Sequence, residues 1–167
     1  MKTICSFCNE VVRPGKTPED PVSHGICKAC YNKILAEHGI NIRKFLDMLD
    51  APVFLVDNDV NVLAANAKAV EIAGKPLRMV TGNLCGEVFE CRNAYLPGGC
   101  GKTVYCSGCA IRASVNQTNT TGIPVIRRPA VINRKEEQGG KTRLYISTKK
   151  EGDIILLRVE PAVAGAP

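Results

Sequence analysis

Apolar residues in the second part of the chain fall into short runs that predict strands separated by turns and short helices. The four apolar residues at 53–56 predict a buried strand, and the Asp-Asn-Asp turn at 57–59 predicts a hairpin that returns over 60–65. Asn66 has the side chain of a helix N-cap, and Gly74 is suited to end that helix. This part of the chain is therefore predicted to begin with two strands and a short helix.

Residues 75–121 lack a regular apolar period, and only 110–116 is predicted to be helical within them. Turn-forming residues then separate three apolar segments near the end of the chain. These segments predict strands over 123–133, 142–148 and 154–159. Two strands, a helical and irregular segment and three strands indicate an α+β fold.

The segment 1–30 shows no sustained apolar period and is rich in Cys, Pro and Gly. Three prolines and a glycine within 13–21 predict a loop and leave no room for a helix. Such a segment buries little apolar surface, so it needs a metal or another staple to fold. Two helices are predicted to follow, over 28–38 and 42–50.

The helix predicted over 42–50 carries one apolar stripe. The stripe consists of Ile42, Phe45, Leu46 and Leu49. Its helical spacing indicates either packing on the domain that follows or a seam for a self-dimer or a signalling partner.

Nine cysteines are an unusual feature of a chain without a predicted signal peptide. No apolar run approaches the roughly 20 residues that a membrane-spanning helix needs. The sequence therefore predicts a cytoplasmic protein without membrane attachment, where thiols stay reduced. Nine cysteines in that compartment indicate metal or redox chemistry before disulfides.

The net charge of +6 is concentrated in residues 110–167, which carry 10 basic and 5 acidic side chains. A basic surface can attract nucleic acid. The alternative explanation of this charge is that Lys and Arg simply lie on strand faces exposed to water. No recognition-helix pattern accompanies it, so nucleic-acid binding is not favoured.

The first cysteine set consists of two C-x2-C pairs separated by 18 residues. Its members are Cys5, Cys8, Cys27 and Cys30. The spacing is typical of a closed four-thiolate Zn²⁺ site, and such a site is structural because no coordination position is open. Rubredoxin-like iron is the alternative. His24 is predicted to brace the ligand loop or to act as an alternate ligand.

The second cysteine set has the spacing C-x8-C-x5-C-x2-C. Its members are Cys91, Cys100, Cys106 and Cys109. Neighbouring glycines let the backbone approach a metal and donate amide hydrogen bonds to sulfur. The set is compatible with Zn²⁺, with a [4Fe–4S] cluster or with metal-free redox thiols. Cys85 is interpreted as a small buried residue, with an alternate-ligand role left open.

The second part of the chain resembles a PAS domain. The resemblance rests on Pro-Val-Phe-Leu-Val-Asp at 52–57, Val-Leu-Ala-Ala-Asn-Ala at 62–67 and the final three-stranded meander. It implies a five-stranded antiparallel sheet with flanking short helices over 51–160, facing a small-ligand pocket. The cysteine-rich segment 85–109 would then form a wall of that pocket.

The remaining segments complete the predicted organisation. Residues 1–38 are predicted to form one zinc-ribbon-like module that includes the first helix. Its first 30 residues, through Ile-Cys-Ser-Phe-Cys at 4–8 and Ser-His-Gly-Ile-Cys-Lys-Ala-Cys at 23–30, resemble the zinc-finger-like segment found beside PAS domains in some bacterial signalling proteins. Residues 39–50 are predicted to be a connecting helix, and 161–167 a flexible tail.

The resemblance implies a signal-sensing and protein-interaction module rather than an enzyme. Residues 98–103 end in Gly-Lys-Thr but lack the first glycine of a phosphate-binding loop, and both histidines lie before residue 39. The second cysteine set would sense redox state, oxygen or a small ligand. A zinc-dependent nucleic-acid-binding or transcription-complex protein and an iron–sulfur electron-transfer accessory are the alternative hypotheses.

Overall fold

The structure is a computed structural model that describes residues 1–30, 33 and 42–162, apart from the side chain of Gln138. The chain divides into two compact units, residues 1–42 and residues 43–167. The larger unit has the α+β architecture that the sequence predicts.

The first unit contains a small three-stranded sheet. Its strands are β1 (Lys2–Cys5), β2 (Val11–Arg13) and β3 (Val22–Gly25). The strand order is β2-β1-β3, with β2 antiparallel and β3 parallel to β1. The apolar pattern did not predict these strands because β1 buries Cys5 alone and the valines of β2 and β3 are exposed, so no apolar face marks them in the sequence.

Helical residues 28–30 and 33 follow β3. The rest of the helix predicted over 28–38 lies outside the described residues. Among residues 1–30 and 33, Cys5 is the one buried residue. The described part of the first unit therefore contains almost no apolar core.

The second unit contains a five-stranded antiparallel sheet. Its strands are β4 (Val53–Val56), β5 (Val62–Ala65), β6 (Val125–Asn133), β7 (Lys141–Glu151) and β8 (Ile154–Pro161). The order across the sheet is β5-β4-β8-β7-β6. All five predicted strands are present, with ends that differ by a few residues.

The start of β5 corrects the prediction that it begins at residue 60. Val60 has φ 62°, in the left-handed region that β-branched residues rarely adopt. Its amide donates to the Asp57 carbonyl at 3.1 Å, so Val60 still belongs to the turn. The Asp57 side chain supports this turn by accepting from the Asp59 and Asn61 amides, each at 2.9 Å.

Short helices pack on both faces of this sheet, most of them on the face that forms the main core. The α-helices are α1 (Ile42–Asp47), α2 (Ala67–Ala73), α3 (Leu77–Val80), α4 (Cys85–Val88) and α5 (Ala110–Thr121). Short 3₁₀ turns occur at Arg92–Tyr95, Val104–Gly108 and Glu136–Gln138. The helix α2 is confirmed with Asn66 as its N-cap and Gly74 as its left-handed C-cap. No helix among the described residues combines the length and apolar character needed to cross a membrane.

Two helices differ in length from their predictions. The helix α5 extends to residue 121 rather than 116, because its buried face includes Ser114 and Thr118, which an apolar pattern does not reveal. The Thr118 hydroxyl is 2.6 Å from the Thr148 hydroxyl and donates to the Ile123 carbonyl at 3.0 Å. The helix α1 ends at Asp47 rather than at residue 50.

Asn66 explains why α1 ends early and how it is held. Its side-chain amide donates to the carbonyls of Leu46 and Ala51 at 3.0 and 2.7 Å, so these carbonyls are satisfied without further helix. Its side-chain oxygen accepts from the amides of Val53 and Ala69 at 3.1 and 2.9 Å. One buried side chain therefore joins α1, β4 and α2.

The strand β4 is buried on both faces, which accounts for its unbroken apolar run. Phe54 and Val56 point into the main core between the sheet and the helices. Val53 and Leu55 point to the opposite face and pack with Leu46. The α1 stripe therefore divides, because Leu46 and Leu49 pack on the sheet while Ile42 and Phe45 stay more than 40% exposed.

Candidate metal centres

The four cysteines of the first set come together at the ends of β1 and β3. Cys5 ends β1 and Cys8 lies in the following turn, while Cys27 and Cys30 follow β3 where helical residues begin. All four Sγ atoms lie within 4.8 Å of one another. Around one Zn²⁺ with Zn–S bonds of about 2.3 Å, tetrahedral geometry places sulfur atoms about 3.8 Å apart. The first set therefore has the dimensions of a site for one ion.

Backbone amides point at the sulfur atoms of the first set. The Cys27 amide donates to Cys5 Sγ at 3.3 Å, and the Cys30 amide donates to Cys27 Sγ at 3.4 Å. The Cys27 amide lowers the pKa of the Cys5 thiol to about 6. Contact with the Cys27 and Cys8 sulfur atoms raises the pKa of Cys30 to about 12, because neighbouring thiolates disfavour a further negative charge. A bound cation would remove the repulsion between neighbouring thiolates, because it takes the place of the protons that otherwise keep some of the four thiols neutral.

His24 lies on β3, exposed and paired in register with Ile4. It does not belong to the tight group formed by the first cysteine set. Its predicted bracing or ligating role stays a prediction.

The four cysteines of the second set line one cavity of about 100 Å³ in the second unit, and Cys85 lines it as well. The chain brings them there from α4, the loop after it, the 3₁₀ turn at Val104–Gly108 and the N-cap of α5. No three of these thiols form a group as tight as the first set within the part of the chain that the structure describes. The second set therefore surrounds a space instead of converging on one point.

Two thiols of the second set have specific polar contacts. Cys106 Sγ accepts from the Gly101 amide at 3.2 Å and lies 3.2 Å from the Thr103 hydroxyl. Burial raises the pKa of Cys106, but the contacts with Thr103 and Gly101 outweigh it, so the pKa falls below its usual value. Arg112 Nη2 donates to Cys100 Sγ at 3.8 Å.

Cys85 and Cys109 are in less polar surroundings. Burial raises the pKa of both thiols, and the neighbouring Cys100 thiol raises it further. Cys85 lies within the main core, packed beneath the cavity. Its alternate-ligand role stays a prediction.

Two glycines let the backbone approach the cavity closely. A Cβ on Gly86 would lie 2.7 Å from Cys100 Sγ and 3.0 Å from Cys100 Cβ. Gly101 has φ 85°, and a Cβ there would collide with the Arg112 guanidinium. Larger residues at these two positions would displace a thiol or the cation beside it.

Arg112 is the site residue that the sequence analysis missed. Its guanidinium lies in the cavity wall and also donates to the Asp59 carbonyl at 3.2 Å, across 53 residues of sequence. A cation in the first turn of a helix opposes the helix dipole, and this was the available signal for a special role. In the folded chain the positive charge of Arg112 is placed beside the Cys100 sulfur, to which the guanidinium donates a hydrogen bond.

The segment that carries Cys91 is anchored from two sides. Lys75 forms an ion pair with Glu90 and donates to the Glu87 carbonyl at 2.6 Å. Arg134 Nε, just after β6, donates to the Phe89 carbonyl at 2.8 Å. The wall at Cys91 is therefore tied both to α2 and to the sheet.

Sequence comparison gives one match to a protein family. Residues 41–106 match the family model described as PAS domain. The matched residues include β4, β5, α2 and three of the four cysteines of the second set. No curated protein has a sequence that matches this chain.

Comparison with solved structures extends the likeness over most of the second unit. The Rhodobacter sphaeroides LOV protein matches with a TM-score of 0.53 and 16% identity, covering 75% of this chain and 66% of that protein. The PAS domain of Vibrio parahaemolyticus nitrogen regulation protein NR(II) matches with a TM-score of 0.52 and 10% identity, covering 73% and 98%. The PAS domain of Bordetella pertussis BvgS matches with a TM-score of 0.51 and 14% identity, covering 74% and 85%. The second unit therefore has a PAS-like fold, and its sequence matches the PAS family over residues 41–106.

Proposed function

We propose that this chain is a cytoplasmic signal-sensing and protein-interaction module, not an enzyme, and that its second unit senses redox state or oxygen at the cysteine-lined cavity. The observation that carries this proposal is the meeting of five cysteines around one cavity in a PAS-like fold. PAS domains are typically sensory modules. A reducing cytoplasm is the compartment in which these thiols would stay available for a signal.

The first cysteine set is proposed to hold a structural Zn²⁺. Four thiolates fill all four tetrahedral positions, so such an ion has no open position for chemistry. Cys5 is the one buried residue among residues 1–30 and 33, so the metal would take the place of a core. Zn²⁺ there would link the ends of β1 and β3.

Sensing would act through the wall of the cavity. Oxidation of two thiolates to one disulfide transfers two electrons to an oxidant such as dioxygen or peroxide, and it removes two ligands or anions from the wall. The wall between α4 and α5 consists of short turns, so it can rearrange while the sheet stays intact. The signal would favour a second arrangement of residues 85–109, which is a population shift.

Output is proposed to pass through α1 to a signalling partner or to a second copy of the chain. Phe45 in α1 and Met48 just after its end are 42% and 83% exposed, while Leu46 between them is buried against β4. The helix therefore has one side fixed to the sheet and another side open to a partner. Asn66 connects its end to the sheet and to α2.

Hydrogen exchange of the full chain tests the sensing proposal. Protein purified without oxygen is compared with the same protein after exposure to oxygen, with the strands β7 and β8, which do not line the cavity, as the internal reference. We expect faster exchange in residues 85–109 after oxidation and unchanged exchange in the reference strands. Identical exchange in both samples would overturn redox and oxygen sensing.

The nucleic-acid alternative receives little support from the basic strands. Arg127 and Arg158 both pair with Glu160, each at 2.6 Å. Lys149 pairs with Glu151 at 2.7 Å, and Lys150 donates to the Asn119 carbonyl at 2.8 Å. These four cations of β6, β7 and β8 therefore already have intramolecular partners, which reduces the number of free cations that the basic strands offer to a phosphate backbone.

A further inference from the structure

We infer that the second cysteine set holds an iron–sulfur cluster, expected to be of the [4Fe–4S] type, rather than one zinc ion. The inference deepens the proposed function, because it names the group at the proposed sensory cavity. It rests on the spread of the thiols, the size of the cavity, the donor chemistry of its wall and the contacts made to sulfur.

The spread of the thiols favours a group of several atoms. One ion can bind four thiolates only where all four sulfur atoms reach the same point, as in the first set. The second set surrounds its cavity without forming such a point. A four-iron cluster takes one thiolate on each iron, so its ligands stand farther apart than the ligands of a single ion.

The cavity has room for such a group. Its volume is about 100 Å³. One water-sized atom needs roughly 10–15 Å³ on the same kind of measure. The space between the cysteines therefore exceeds that of a single metal position several-fold.

The donors in the wall are soft. The lining side chains include five thiols, but no carboxylate and no histidine. Thiolates select zinc, Cu(I) and iron–sulfur clusters, whereas Mg²⁺, Ca²⁺ and Mn²⁺ prefer carboxylate and carbonyl oxygen. Apolar residues such as Phe89, Ile111 and Ile132 form the inner wall and would limit access of water to the group.

The wall also provides hydrogen bonds and positive charge for a sulfur-rich anion. The Gly101 amide and the Thr103 hydroxyl contact Cys106 Sγ, and the Arg112 guanidinium contacts Cys100 Sγ. Hydrogen bonds to the sulfur atoms and the local charge set the properties of such clusters. Gly86 leaves the space that Cys100 occupies.

Metal analysis of the full chain, expressed and purified without oxygen, tests the inference. We expect one zinc, about four irons and about four acid-labile sulfides per chain, with visible absorption near roughly 400 nm that bleaches in air. Two zinc ions per chain with no sulfide would overturn the inference. Protein without iron is also incubated with ferrous iron, sulfide and a thiol reductant, and failure to take up iron and sulfide there would overturn it as well.

Four single variants assign the ligands. Cys91→Ser and Cys100→Ser are expected to lose most of the iron and sulfide and to keep the zinc. Cys5→Ser is expected to lose the zinc and keep the iron, and Asn116→Ala, on the exposed face of α5 and outside the cavity lining, is the control that keeps both. Hydrogen-exchange protection of β7 and β8 verifies that each variant is folded. Full iron content in folded Cys91→Ser and Cys100→Ser would overturn the assignment.

The two proposals fail in different ways. A second zinc in place of the cluster overturns the inference, while oxidation-dependent exchange in residues 85–109 would still support sensing by zinc-bound thiolates. A cluster whose loss in air leaves that exchange unchanged supports the inference and overturns the sensing proposal.

Discussion

Each cysteine set offers four thiols, but the two sets differ in how much apolar core surrounds them. The first set lies in a unit whose described residues bury Cys5 alone, and its sulfur atoms are within 4.8 Å of one another. The second set lies in the wall of a unit that already has a large apolar core, and its thiols surround a cavity. In the first unit the metal would replace a core, whereas in the second it would occupy a space beside one.

This difference decides which set is suited to sensing. A metal that replaces a core cannot leave without unfolding its unit, because its binding free energy is the folding free energy. A group in a wall can change while the core beside it stays packed. On the proposed sensing function, the second set is therefore the one whose bound group would change without loss of the fold.

The largest expected effect comes from removing one ligand of the first set. Cys5→Ser, or zinc removal with a chelator, is expected to abolish hydrogen-exchange protection in residues 1–30, because structural zinc contributes on the order of 10 kcal/mol in small modules. Protection of β4–β8 is expected to stay. Cys100→Ser is the matched control and should leave residues 1–30 unchanged. Persistent protection of residues 1–30 in the zinc-free protein would remove the contrast between the two sets.

Asn66→Ala tests whether the stability of the second unit comes from its core and its buried hydrogen bonds and not from a metal. The variant loses four hydrogen bonds and leaves buried backbone groups of α1, β4 and α2 without partners. We expect a decrease of about 3 kcal/mol in the free energy of unfolding of this unit, at 1–3 kcal/mol for each buried group left unpaired and with partial relaxation. Urea unfolding measures it, with zinc content unchanged. Asn116→Ala, on the exposed face of α5, should change stability by less than about 0.5 kcal/mol.

Gly86→Ala perturbs the second set without removing a thiol. The added Cβ would lie 2.7 Å from Cys100 Sγ, so we expect a loss of about 1–3 kcal/mol from overpacking and a lower iron content. Gly108→Ala is the matched control, because Gly108 lines the same cavity but a Cβ there meets nothing within 4 Å. Equal iron content in the two variants would argue against a bound group next to Cys100.

Arg112→Gln should have the smallest effect. Loss of the cation beside Cys100 is expected to make the reduction potential of a bound cluster more negative by the equivalent of about 1 kcal/mol, the size of a partly exposed charge interaction. Potentiometric titration of the anaerobic protein measures this shift. Arg128→Gln is the control, since Arg128 instead bonds Ser114 and Gln117. A potential that moves equally in both variants would indicate a general charge effect.

The elements that are set by residues close together in the sequence were predicted well. The β4–β5 hairpin, the helix between Asn66 and Gly74 and the final meander all follow from apolar runs, turn residues and caps. Prediction was wrong about the end of α5 because the buried Thr118 is polar and is satisfied by Thr148, 30 residues away. The three strands of the first unit were missed because β1 buries Cys5 alone and the valines of β2 and β3 are exposed, so none of them has a one-sided apolar pattern.

The sequence by itself identified the first cysteine set as a candidate metal site. Two C-x2-C pairs specify their own turns, so their spacing was enough to predict one tight four-thiol group. Only the tertiary structure decided how the other five cysteines are arranged. It places them around one cavity, seats Cys100 against Gly86 and brings Arg112 between Cys100 and the distant Asp59 carbonyl. Such contacts depend on the path of the whole chain around its core, and spacing along the sequence does not contain that path.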